Sequence, residues 1–151
     1  MKLSSYPVAA VIVFSLLSAV TIVAGPARAE GVAPPAGCVQ VEVHNVRAEQ
    51  GMLMIAAYGD AASFGKTPLV ATQMRAGAET MRFAVCGVSG SAVALTLYQD
   101  LNGNGKLDAN ALGVPSEPWG ASGQSVAMTA PSWDSSVVAL DGSTVVVKLS
   151  K

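Results

Sequence analysis

The chain has 151 residues, 51% of them hydrophobic and 13% charged, with a net charge of −1 at pH 7. Nine Lys and Arg without a cluster exclude the basic face that nucleic-acid binding requires. A single histidine, His44, argues against a zinc site.

The first residues read as an export signal. Met1 and Lys2 precede an apolar run over residues 8–24, interrupted only by Ser15, Ser18 and Thr21. At roughly 17 residues it falls between a long signal core and a short spanning helix. Pro26 then breaks it, and Ala27-Arg28-Ala29 supplies the small-x-small pattern that signal peptidase cuts. The expectation is a cleaved signal peptide over residues 1–29, a flexible lead-in over 30–37 and one domain over 38–151, secreted or periplasmic. An uncleaved anchor is the alternative. Ala36-Gly37-Cys38 also resembles the end of a lipidation box, although Pro35 stands where that box wants an aliphatic residue. No later run is long and apolar enough to span a membrane. Both cysteines, Cys38 and Cys86, follow the signal, so in an oxidising compartment one disulfide is the default.

Past the lead-in the apolar pattern has period two. Val39, Val41 and Val43 alternate with Gln40, Glu42 and His44 on a first strand, and Leu53, Ile55 and Ala57 mark a second that ends at Tyr58. A loop follows, with a helical turn capped by Asp60. Residues 69–75 read as a third strand. Met81, Phe83 and Val85 make a fourth, and Val93, Leu95 and Leu97 a fifth that runs into Asp100. From there to about Pro131 the chain is rich in Gly, Pro and Ser and has little periodicity. Residues 136–140 and 143–149 close the chain as two strands joined by a turn at Asp141-Gly142. No helical period is sustained. The pattern predicts an all-β fold, a single antiparallel β-sandwich of about seven strands. Strand parity puts Cys38 with Gln40 and Glu42, and Cys86 with Arg82 and Ala84, both away from the core. Their bridging therefore requires that the first and fourth strands be neighbours.

The most structured polar stretch is residues 100–108, Asp-Leu-Asn-Gly-Asn-Gly-Lys-Leu-Asp. Counting Asp100 as position 1, Asn102, Asn104, Lys106 and Asp108 occupy positions 3, 5, 7 and 9 of a calcium loop of the EF-hand type, with Gly105 at the sharp turn. Lys106 would contribute its carbonyl. Position 12 is Ala111 instead of a bidentate Glu, which leaves Glu117 as the acid able to fold back and complete the shell. So few anionic ligands imply weak binding. The same letters also make a metal-free turn, because Asn-Gly favours type I′ turns and Asp and Asn side chains bond to backbone two residues on.

Residues 98–120 resemble the signature of the domain-of-unknown-function family 2141. In that pattern an aromatic-His-Asp-Glu-Asn-Gly-Asn-Gly-Lys-Leu-Asp run is followed by Gly-Ile-Pro-x-Glu-x-aromatic-Gly. Asp100, Asn102, Gly103, Asn104, Gly105, Lys106, Leu107, Asp108, Gly113, Pro115, Glu117 and Gly120 match it, and the likeness extends from about Val39 to the end. Gln99 and Leu101 replace the pattern's His and Glu, making the loop less acidic. The resemblance implies a small secreted bacterial protein with a transthyretin-like or immunoglobulin-like sandwich, and it implies no reaction.

No catalytic constellation appears: His44 sits on an outward strand face and no G-x-S-x-G frames a serine. Asp100, Asp108 and Glu117 would suit a hydrolase only as a pair in an open cleft. Tyr98, Trp119 and Trp133 could line a groove for a glycan or peptide. Met52, Met54, Met74 and Met81 fall at strand spacing and are expected in or near the core. The 143–149 strand is a candidate exposed edge for another protein's sheet.

Overall fold

A computed structural model describes residues 35–123 and 130–150; the expected signal peptide and most of the lead-in lie outside the described residues. The elements in order are β1 (Cys38–His44), β2 (Met52–Tyr58), β3 (Val70–Arg75), β4 (Met81–Cys86), β5 (Ala92–Asp100), β6 (Trp119–Ala121), α1 (Trp133–Ser136), β7 (Val137–Ala139) and β8 (Val145–Lys148). They form two sheets, β4-β1-β8 and β3-β2-β5-β6, with β7 also pairing β5. This is the expected β-sandwich.

The alternating residues set the core. Val39, Val41 and Val43 of β1 face Leu53, Ile55 and Ala57 of β2 and Val93, Leu95 and Leu97 of β5, all buried; Val145, Val147 and Leu149 join them. Period-two burial of one face is what holds a strand in register, since a slip of one residue would turn every valine to solvent. Met74 and Met81 pack at the margin of this core. Met52 and Met54 lie instead on the opposite face of β2 from Leu53, so the expectation of four core methionines holds for only two.

Four features differ from the sequence reading. The sandwich is not wholly antiparallel, because β8 runs parallel to β1, with Val41 opposite Val145 and Val43 opposite Val147. The aperiodic stretch contains β6, whose three residues are too few to show a period. The penultimate strand is shorter than expected, Val137–Ala139 instead of 136–140, and follows directly on α1, which Ser132 caps through a reciprocal Ser132–Ser135 box. The 143–149 strand is tied down just past its end: Trp119 O accepts from Ser150 N–H and Ser150 Oγ from Trp119 N–H, which fastens β6 to the residues that follow β8. Gly120 permits this seam, since a Cβ there would lie 2.6 Å from Lys148 O.

Cys38 and Cys86 stand directly opposite each other in the antiparallel β1–β4 ladder and are joined by a disulfide, with Cα atoms 3.9 Å apart. Two outward cysteines on neighbouring strands is the arrangement that strand parity required.

Candidate functional site

The polar loop after β5 is built from its own side chains. Asp100, at the end of β5 and 3% exposed, accepts from the N–H groups of Gly103 and Asn104 at one carboxylate oxygen and from Gly105 N–H at the other (2.7–3.2 Å). Asn102 Oδ1 accepts from Asn104 N–H and Asn104 Oδ1 from Lys106 N–H, each two residues on. The carboxamides of both asparagines then donate to the Asp108 carboxylate at 2.6–3.0 Å. Burial pushes the Asp100 carboxyl upward, but the N–H groups of Gly105, Gly103, Asn104 and Asn102 together hold it below its ordinary value.

A small hairpin returns Glu117 to this cluster. Ala109 bridges Pro115, Gly113 N–H donates to Asn110 O, and Asn110 Oδ1 takes the N–H groups of Leu112 and Val114. Glu117, 6% exposed, thereby reaches back to accept Leu101 N–H at Oε1 (2.8 Å) and Asp108 N–H at Oε2 (3.0 Å). Tyr98 ties the loop to the sheet, its hydroxyl donating to Gly105 O at 2.9 Å. Burial first, then the negative charges of Asp100 and Glu117, raise the Tyr98 phenol, so it remains a donor at neutral pH.

Asp100, Asn102, Asn104, Asp108 and Glu117 are thus brought into one cluster, as their spacing suggested. Lys106 enters it through its N–H group. Each of the three carboxylates already accepts hydrogen bonds from amide donors of this loop. Among the described residues no group of three or more His, Cys, Asp or Glu is placed to hold a metal ion.

Gln99 is a residue that the sequence reading noted only as a departure. It is fully buried, its Nε2 donates to Arg47 O and Gln50 O, and its Oε1 accepts Arg47 N–H. A buried carboxamide with three bonds fixes the β1–β2 connection against the root of the polar loop. Gly51 completes this contact: its φ is +61° and a Cβ would lie 1.9 Å from Asp100 O. A polar residue at an inward position of β5 was the available signal.

The second concavity lies on the outer face of the β3-β2-β5 sheet. Register places Gln73, Met54, Tyr98 and Trp119 in one row and Ala71, Ala56 and Thr96 in the next. Small residues in the second row leave a trough of about 470 Å³, lined by Met54, Ala56, Tyr58, Ala71, Gln73, Thr96 and Tyr98 among others, with no charged side chain. Tyr98 lines it and Trp119 adjoins Tyr98. Trp133 does not join them: it packs edge-on against Phe64 (6.3 Å between centroids), which packs on Tyr58 (5.1 Å), covering the far end of this face.

On the outer face of the other sheet, Glu42 accepts from Arg82 Nε at 2.7 Å and lies 2.8 Å from His44 Nε2. His44 is thereby a partly exposed residue on the outward strand face beside Glu42, as its parity indicated.

Two packed sheets carrying a self-bonded Asp/Asn/Gly loop and an uncharged outer trough define a small β-sandwich domain. Residues 41–148 match the family model for domain of unknown function 2141, described as an uncharacterized protein conserved in bacteria, and the chain belongs to that family. The comparisons with curated proteins and with solved structures gave no match.

Proposed function

We propose that this protein is an exported, non-enzymatic binding module. Its outer trough takes the uncharged, largely apolar part of a ligand. The trough carries this reading: at about 470 Å³ it falls in the range of ligand sites, roughly 300–1,000 Å³. Its lining favours a peptide over a glycan. Met54, Ala56 and Ala71 present carbon, and Gln73, Thr96 and Tyr98 offer few of the donors and acceptors that sugar hydroxyls need. A neutral apolar fluorophore, N-phenyl-1-naphthylamine, is the suitable first probe. It should bind saturably, and Ala56→Leu, which fills the floor, should abolish binding without shifting the melting temperature. Absent binding, or binding indifferent to Ala56→Leu, overturns the reading.

A second reading is supported by the convergence of Asn102 and Asn104 on Asp108. Half a turn of each carboxamide exchanges nitrogen for oxygen and would face three oxygen-bearing groups toward a hard cation such as calcium. The turn gives up the two bonds to Asn104 N–H and Lys106 N–H, so binding would be weak and the role structural. Calcium added to chelated protein should raise the melting temperature. An unchanged value through millimolar calcium rules this reading out.

A further inference from the structure

The strand edges of this sandwich are guarded unequally. β8 has only four residues and is tied to β6 just past its end at Ser150, and β7 has only three residues. β4 carries Arg82 at its second position, paired to Glu42, and a charge within an edge strand is a common guard against edge pairing. β3 has none of these devices. Its sequence Val-Ala-Thr-Gln-Met-Arg holds no proline and no charge before its last residue, and Ala71, Thr72 and Gln73 are exposed in succession. Among the described residues, no backbone group of Val70–Arg75 bonds outside the β2 ladder, so one side of the strand presents alternate free N–H and C=O groups.

We propose that two copies of this chain pair through β3, antiparallel and centred on Thr72, to form one continuous sheet. Side-chain chemistry selects a second copy as the occupant. In that register Thr72 meets the second copy's Thr72, a favourable cross-strand pair. Val70 meets the second copy's Met74, and both are half-buried apolar residues at the margin of the core. Arg75 falls opposite Leu69, which is 50% exposed, so no like charges face each other. The low net charge does not oppose self-association. Pairing is isologous and closes on itself. It also sets the two outer troughs side by side, since Ala71 and Gln73 form the β3 wall of each; it does not depend on what the trough binds.

Sedimentation velocity on protein expressed from the full chain, over a micromolar concentration series, tests this. The expected result is a dimer. Thr72→Lys places two ammonium groups at the two-fold and should give a monomer with a native circular dichroism spectrum. Thr72→Cys should form a dimer-sized disulfide-linked species on oxidation, because the two-fold sets this position beside its own copy. A wild-type monomer throughout the series overturns the proposal. So does a dimer that survives Thr72→Lys, or one that Thr72→Cys fails to cross-link.

Discussion

Replacing Glu117 with alanine is expected to lower stability by about 3 kcal/mol, with the 100–117 loop becoming the first site of proteolytic cutting; each charge-assisted bond contributes roughly 1.5–3 kcal/mol and the two are not additive. The carboxylate is buried and satisfies Leu101 N–H and Asp108 N–H at once, so its removal leaves two amides unpaired at the base of the hairpin. Glu117→Gln keeps one acceptor oxygen and should cost about half as much. Urea denaturation gives the stability change and limited proteolysis the site. A variant as stable and as resistant as the wild type would mean that the loop is held by Asp100 alone.

Acid tests the Asp100 half of the same cluster. Its folded carboxyl lies below its ordinary value. A group depressed in the folded state stabilises fully above its unfolded pKa, and that contribution disappears as pH falls through the lower folded value. The loop should therefore hold at pH 5 and open only below about pH 4. Asp100→Asn should flatten this acid limb, since its remaining oxygen takes no proton in that range.

Reducing the Cys38–Cys86 bond should cost about 4 kcal/mol by the loop-entropy relation, the largest single loss expected, because it releases a closed loop with a sequence separation of 48. Against a typical domain stability of about 5–15 kcal/mol this is a large share. The β1–β4 ladder and the valine core remain, so the reduced protein should still fold, with a lower urea midpoint. The Cys38→Ser, Cys86→Ser double variant should match the reduced wild type. An unchanged midpoint on reduction would place the stabilisation elsewhere.

The core faces of β1, β2, β4 and β5 were legible because burial alternates with the side chains of a single strand, a local property written into every second residue. The cysteine pair was legible for the same reason: parity put both outward and export chemistry favoured their union. The Asp/Asn/Gly cluster could be located but not resolved into its bonds. Spacing gathers the oxygens, while the choice between amide donors and a cation depends on where the 109–116 hairpin returns Glu117.

What the sequence alone determined was therefore the all-β class, the inward faces, the disulfide and the position of the polar loop. Only the tertiary structure decided the parallel docking of β8 on β1, the β6 seam at Gly120, the internal staple made by Gln99 and the open edge of β3. Each of these joins segments distant in sequence, and no local period encodes which strand lies beside which. Strand neighbours are selected by closure of the whole core, where a three-residue strand or a single buried carboxamide counts as much as a long alternating run.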